Sequence, residues 1–382
     1  MAKTHTRFSE VAIISITKLL TKSQKCDTIS SMKNLNNIIT ELKLQKNLLR
    51  EDFKLLLTAN GEEQKSLHKT ARETSQEVFS NKIYMRGLIE FTNYCKNDCY
   101  YCGIRKSNAE ASRYRMTKAE ILERCKSGYE LGFRTFVLQG GEDPYYTDEM
   151  LCDIVKSIKC DYSDCAITLS LGERSYESLK LLRVAGADRY LLRQETSNAE
   201  HYLSLHPQSP NSMTLASRQK CLFALKELGY QLGCGFMVGS PNQTLDHIID
   251  DFAFIKELDP AMVGIGPFIP HSKTPFANEL QGGLGLTLNA LAILRLMKPN
   301  LLLPATTALG TIDSSGREMG VLAGANVVMP NLSPPKFREK YLLYDNKICV
   351  GDGPSRCSNC IRGRMKKIGY EIVESRGDYV EI

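Results

Sequence analysis

Three cysteines, Cys95, Cys99 and Cys102, stand at a C-x3-C-x2-C spacing on a polar segment that follows a β-branched apolar run. Three thiolates so spaced can hold three irons of a 4Fe-4S cube and leave the fourth open to an added ligand. A structural zinc site wants four ligands, usually on two paired arms, and the nearest histidines are His68 and His201. Zinc or chance spacing is therefore the weaker reading. A second group, Cys349, Cys357 and Cys360, lies near the C-terminus, with Gly351, Asp352, Gly353 and Pro354 between its first two members. It can anchor a second iron-sulfur cluster (2Fe-2S or 4Fe-4S), hold zinc loosely, or consist of free thiols. The chain's thirteen cysteines are odd in number, and several others (Cys125, Cys152, Cys221, Cys234) sit singly in apolar segments as small buried hydrophobes. Reduced thiols in an intracellular compartment fit that distribution best.

Such a loop has to be held by regular elements. From residue 84 onward, β-branched runs alternate with helical patterns, the signature of parallel βα units. Eight candidate strands fall at 88–93, 135–140, 166–172, 189–195, 234–240, 262–270, 301–308 and 326–333. The clearest helix opens on a capping box, Thr117 to Glu120, and stops at Gly132. The span 88–333 matches the roughly 250 residues of an eight-stranded barrel. The expected fold class is therefore α/β, a (βα)8 TIM-type barrel over residues 84–333, with a doubly wound open sheet as the alternative. Residues 31–83 read as an N-terminal helical cap whose apolar face is Leu42, Leu44, Leu48, Leu49, Leu55, Leu56 and Leu57. Residues 334–382 form a cysteine-bearing C-terminal extension, read as a tail or lid. Residues 1–30 are basic and carry few acids, a leader that is either a frayed extension or an organelle-targeting segment.

Composition narrows the function classes. Hydrophobic residues at 42% and charged residues at 24% are ordinary for a globular chain. The 49 basic and 43 acidic residues are interspersed, and the pI of 8.6 lies below the ~9 typical of nucleic-acid domains, so no nucleic-acid partner is expected. No apolar run reaches the ~20 uninterrupted residues of a membrane span. The expected location is the cytoplasm, or an organelle matrix (hydrogenosome or mitochondrion-like) if the leader is a targeting segment.

The C-x3-C-x-aromatic-C pattern after the first strand of an α/β barrel, with Tyr101 at the aromatic position, resembles the radical S-adenosylmethionine (SAM) enzymes. In that family the open iron chelates the amino and carboxylate groups of SAM. A reduced cluster passes one electron to the sulfonium, and cleavage yields methionine and a 5'-deoxyadenosyl radical. The turn Gln139-Gly140-Gly141-Glu142, by itself an ordinary glycine-rich turn, resembles the family's Gly-Gly-Glu element, whose carbonyls accept from the SAM ammonium. Its glycines would permit that close approach. Arg189, Leu191, Arg193 and Glu195 alternate and so share a face. Charges buried there are either a structural ion-pair network or ligands for something. The resemblance implies that Glu195 holds SAM ribose or amino groups, that the arginines bind an anionic carboxylate, and that Arg218 contacts the SAM carboxylate. The segment 235–239, with Met237 and then Gln243, resembles the adenine-lining G-x-I-x-G-x-x-E element, with Gln243 where an acid is common.

The segments 89–93, 114–117, 139–146, 189–196, 263–271 and 304–310, closed by the cysteine tail, resemble the HydE family of radical SAM maturases of FeFe-hydrogenase over about residues 31–364. That resemblance implies assembly of the hydrogenase's organometallic two-iron subcluster. The substrate would be a small iron carbonyl-cyanide-cysteine complex delivered by a partner radical SAM maturase, and a reducing electron donor would be needed. It places the substrate pocket at Thr168, Ser170, Arg189, Thr306, Thr307, Met329 and Tyr341, although hydroxyls at strand ends are also common turn caps. The family's second cluster is variable, so Cys349, Cys357 and Cys360 need not be catalytic.

One rival is a radical SAM enzyme with a small-molecule substrate, methylornithine synthase-like or biotin synthase-like. Biotin synthase needs a cluster inside the barrel, and Cys165 and Cys234 read as strand starts, the wrong end. A rival of another class is a non-catalytic iron-sulfur scaffold or electron carrier, against which Gly140-Gly141, Glu195 and Arg218 argue together. Alanine at any one of Cys95, Cys99 or Cys102 should abolish both the catalytic cluster's spectrum and SAM cleavage; retained cleavage would overturn the assignment. Cys357→Ala should lose some iron yet leave cleavage largely intact.

Overall fold

The computed structural model describes residues 34–208 and 213–382, so the reading of residues 1–30 lies outside the described residues. Three helices come first, α1 (Leu35–Gln45), α2 (Arg50–Thr58) and α3 (Gly61–Phe79). The Asn34 side chain accepts from Asn36 N at 3.0 Å and so caps α1, whose Leu35, Ile38, Ile39 and Leu42 make a buried stripe at helical spacing. That stripe turns Leu44 outward, and Leu44, Leu49 and Leu55 are 76%, 70% and 48% exposed. Only Leu42, Leu48, Leu56 and Leu57 of the expected apolar face point inward. The helices pack on the almost wholly buried helix Leu284–Met297, which explains why that helix is mostly apolar and why its Asn289 and Arg295 are hydrogen-bonded to backbone carbonyls.

Strands β1 (Lys82–Met85), β2 (Gly87–Thr92), β3 (Thr135–Gly140), β4 (Ala166–Ser170), β5 (Arg189–Leu191), β6 (Gln231–Cys234), β7 (Met237–Val238), β8 (Met262–Val263) and β9 (Gly266–Pro267) follow in chain order. A six-stranded parallel sheet runs β2-β3-β4-β5-β6-β8. Bridges Met262↔Leu302, Pro304↔Val327 and Leu88↔Asn331 carry the ring through the last two barrel strands and back to β2. Every residue of β2 is buried, as a strand covered on both faces requires. The helix α4 (Lys118–Glu130) opens on the Thr117–Glu120 capping box. The expected strand at 234–240 is broken because the backbone turns at Gly235, where a Cβ would lie 2.0 Å from Gly264 O. Beyond that break, β7 and β9 pair as a separate two-stranded ladder.

The remaining strands, β10 (Val327–Val328) and β11 (Glu371–Val373), flank β1 in a three-stranded sheet. From β11 the chain runs under the barrel. Arg376 O accepts from Thr135 Oγ1 and from Arg189 Nη2, both at 2.8 Å, and Asp378 Oδ1 accepts from Arg189 Nη2 at 2.6 Å and Gln231 Nε2 at 3.0 Å. The extension read as a tail or lid thus supplies the barrel floor. This corrects the placement of Arg189 in the substrate pocket: it is 0% exposed, at the first position of β5, and bound to that floor. Thr168 pairs with it in register and lies equally far from the mouth, so it too is removed from the pocket. Alternation fixes the face of a residue but not its depth along the strand. Among the described residues, no helix is long and apolar enough to cross a membrane.

Burial alone would raise the Asp378 carboxyl, but Arg376 and Arg189 outweigh it and hold the group at about 2. Asp378→Asn would strand the buried Arg189, which typically costs about 3 kcal/mol, read by denaturant unfolding at pH 7. Because the folded value is depressed, this contribution is complete above the unfolded value of about 3.9 and fades as pH falls toward the folded one. The gap between wild type and variant should narrow over that window. A gap well under about 1 kcal/mol at pH 7 would show that the floor does not depend on this pair.

Candidate active site

The cysteine loop leaves β2 at the C-terminal mouth of the barrel, where such barrels build their sites. It is fixed by main-chain bonds to several neighbours: Lys96 N to Glu142 O at 2.9 Å, Tyr100 N to Leu205 O at 3.0 Å and Gly103 N to Leu343 O at 2.9 Å. Arg113 reinforces it by donating to the carbonyls of Asn93, Ile104, Arg105 and Asn108. Asp98 takes Arg105 Nε at 2.6 Å and Ser107 N at 3.0 Å, closing the loop on itself.

The loop presses on the turn after β3. A Cβ on Gly141 would lie 2.2 Å from Tyr94 O and 2.8 Å from Cys95 Cβ, and one on Gly140 would lie 2.6 Å from Thr92 Cγ2. Gly141 is therefore demanded by the cysteine loop itself and Gly140 by the end of β2, reasons that precede any ligand.

Cys95, Cys99 and Cys102 line one cavity of about 370 Å³ together with Tyr101, Gly140, Gly141, Glu142, Arg193, Glu195, Arg218 and Met237. Ser170, Thr306, Thr307, Met329 and Tyr341 line the same space. Arg189, Thr168 and the tail cysteines do not. Burial pushes the Cys95 thiol up, the Cys99 thiol up to about 12 and the Cys102 thiol well above its usual range, with neighbouring thiols adding to the last two. As thiolates they need a cation beside them.

A second tier of charges surrounds the thiols. Arg218 Nε lies 2.7 Å from Glu173 Oε1, and its Nη2 lies 3.5 Å from Glu142 Oε1. Burial works to lower this guanidinium, but the two carboxylates outweigh burial and keep it charged. Glu142 Oε1 also accepts from Glu173 N at 3.1 Å, and its side chain crosses Gly172, where a Cβ would sit 2.0 Å from Glu142 Cγ. Glu195 has a φ of 67°, and Arg193 Nη2 lies 3.0 Å from its Oε2. Burial raises its carboxyl, against the pull of Arg193 and Arg218. The Tyr101 hydroxyl lies 3.4 Å from His206 Nε2, so its ring is held from behind.

Gln243, which stands where the family element commonly has an acid, donates to Met237 O at 2.7 Å and accepts from Gly239 N at 2.6 Å. A carboxylate could not make the first bond. Cys234 ends β6 rather than starting a strand, and neither it nor Cys165 lines the cavity.

Sequence reasoning missed Glu90, Leu343, Tyr344 and Lys347, all of which line the cavity. Glu90 sits mid-strand in an apolar run, a signal that was available; the other three gave none, because a lone lysine or tyrosine in a tail has no spacing to read. Cys349 and Cys357 line a small neighbouring pocket, with Arg317 Nη2 at 3.8 Å from Cys349 Sγ, while Cys360 is exposed.

The residues fit an iron-sulfur cluster with an added polar ligand. Three half-buried thiols share one space with a charged rim, and Thr306 Oγ1 is buried in the same wall with no hydrogen-bond partner. Gly141→Ala should displace the loop, so that anaerobically reconstituted protein carries several-fold less iron while its far-ultraviolet dichroism stays native; full iron content would contradict the packing argument.

Comparisons agree with the geometry. Residues 89–255 match the Radical SAM superfamily. The FeFe-hydrogenase maturase subunit HydE of Thermotoga maritima is 45% identical over 321 residues, covering 84% of this chain and 90% of that protein. The 3-methylornithine synthase of Methanosarcina acetivorans is 31% identical, covering 84% and 89%. The crystal structure of methylornithine synthase superposes with a TM-score of 0.78 at 27% identity, covering 88% of this chain and 97% of the other. By sequence, barrel and cysteine loop together, the chain belongs to the HydE family of hydrogenase maturases within the radical SAM superfamily.

Proposed function

We propose that this protein reductively cleaves SAM and uses the resulting radical in assembling the two-iron subcluster of FeFe-hydrogenase, on a small organometallic iron complex. The observation that carries the reading is the sharing of one cavity by three cysteine thiols, the Gly140-Gly141 turn, the Arg218 and Glu195 charges and a set of hydroxyl-bearing residues. Cys95, Cys99 and Cys102 would hold a 4Fe-4S cluster, which would supply the electron for reductive cleavage of SAM to methionine and a 5'-deoxyadenosyl radical.

The chain's own part is positioning. Arg218, held charged by Glu142 and Glu173, takes the SAM carboxylate. Gly140 and Gly141 offer carbonyls to its ammonium, Glu195 accepts from the ribose or amino groups, and Met237 lies against the adenine. Leu191, Leu192, Phe268 and Leu343 keep water from the reacting centre. Ser170, Thr306, Thr307, Met329 and Tyr341 face the second substrate.

Cys349, Cys357 and Cys360 carry a second cluster that the cleavage step does not need. The protein works in the cytoplasm, or in an organelle matrix if the leader directs it there, with a reducing electron donor and the other hydrogenase maturases. A small-molecule reading remains second, supported by the 31% identity to 3-methylornithine synthase.

Anaerobic reconstitution, dithionite reduction with SAM and chromatography for 5'-deoxyadenosine test the chemistry, and in vitro maturation of apo-hydrogenase tests the role. The reading expects 5'-deoxyadenosine and active hydrogenase only with this protein present. Cleavage without any support of maturation would move the assignment to a small-molecule substrate, and iron binding without cleavage would remove the enzyme assignment altogether.

A further inference from the structure

Glu90 and Lys347 form a buried ion pair inside the cavity. Lys347 comes from the C-terminal extension and Glu90 from β2; their side chains are 9% and 2% exposed, and Nζ lies 2.6 Å from Oε1. Both line the cavity. Both Glu90 oxygens are taken, the second by Asn331 Nδ2 at 2.7 Å. Lys347 uses two of its three N–H donors, on Glu90 and on Tyr341 O at 2.9 Å. For the third there is no acceptor among the described residues, only the Tyr341 ring at 5.1 Å. Thr306 Oγ1, in the same wall, has no partner either, and the Tyr341 hydroxyl is engaged only as the acceptor of a 3.3 Å bond from Gln139 Nε2.

The bookkeeping of donors and acceptors in this wall is therefore one-sided. One Lys347 N–H and the Tyr341 and Thr306 hydroxyls are left over, whereas each Glu90 oxygen already accepts a bond, so the wall offers donors to an incoming acceptor. A buried ion pair is a costly way to fix a loop, since well-packed apolar residues generally do as well. It is justified where one partner keeps a charge ready in a space that a ligand enters.

We propose that Lys347 is the substrate-recognition residue of the cavity, its ammonium binding a carboxylate of the second substrate while Glu90 holds it in place. This rests on the function proposed above and goes further by naming the group recognised and the residue that recognises it. Glu90 is then a positioning residue whose own charge weakens the site for anions. Removing that charge should tighten carboxylate binding, a direction that a purely structural ion pair would not give.

The test is calorimetry with acetate, and with neutral acetamide of similar shape, on the reconstituted full-length protein with SAM bound. Glu90→Gln should bind acetate about tenfold more tightly than wild type, and the double variant Glu90→Gln/Lys347→Met, which leaves no lone buried charge, should lose that gain. Lys347→Arg, which keeps the cation, should retain acetate binding. Acetamide should not discriminate among the four proteins.

Equal acetate affinity in Glu90→Gln and the double variant would overturn the proposal, as would acetamide binding as tightly as acetate. A drop in SAM affinity in the double variant, with acetate unaffected, would also overturn it by assigning Lys347 to the SAM carboxylate. Failure of wild type to form 5'-deoxyadenosine would refute the SAM-cleavage reading while leaving the acetate pattern to stand or fall by itself.

Discussion

Three half-buried thiols set side by side in one cavity are hard to ionise, and the structure around the barrel mouth is organised by that difficulty. Desolvation pushes each of Cys95, Cys99 and Cys102 toward the neutral thiol, and each thiolate formed makes the next harder. A bound cation would relieve the constraint, and a loop that already holds the sulfurs together need not be ordered at the moment of binding. The loop is accordingly over-determined, with one guanidinium on four carbonyls, main-chain bonds to segments far apart in sequence and an underlying turn that tolerates no side chain. The same compaction brings Glu142, the residue after the glycine pair, against Arg218 and so connects the cysteine loop to the charges around Arg218.

The C-terminal extension is used at both ends of the barrel. Near the mouth, Tyr341, Leu343, Tyr344 and Lys347 form a wall of the cavity, and Leu343 accepts a main-chain bond from the cysteine loop. At the floor, Arg376 and Asp378 receive the buried guanidinium of Arg189. A barrel interior is normally filled with apolar layers. Here the layer at the floor is polar, and it is satisfied by backbone and carboxylate from the chain's last residues. The extension is thus part of the barrel's structure before any question of a second cluster arises.

Local signals were legible in the sequence and long-range ones were not. The C-x3-C-x2-C loop, the glycine turn and β3 over 135–140 could be read because each is set by residues near one another in the chain. The capping box at Thr117 is of the same kind. By contrast, β1 pairs with β11, almost three hundred positions later, and neither short run announces its partner. Arg189 was placed on the right face and at the wrong height because period-two alternation carries no depth. Leu44 and Leu49 were counted as core from hydrophobicity alone, although the 35, 38, 39, 42 stripe already faces α1 the other way. Gln243 is an instructive departure from the resembled element, since the amide makes a bond to Met237 O that the acid common there could not.

The central claim is that the loop, the glycine turn and Arg218 together present SAM to an iron of the cluster through its amino and carboxylate groups. Electron-nuclear double resonance on the reduced, reconstituted protein tests it directly, with SAM labelled by nitrogen-15 at the amino group and oxygen-17 at the carboxylate. The account predicts hyperfine coupling from both labels to the cluster spin. A reduced cluster that shows neither coupling in the presence of saturating SAM would contradict it.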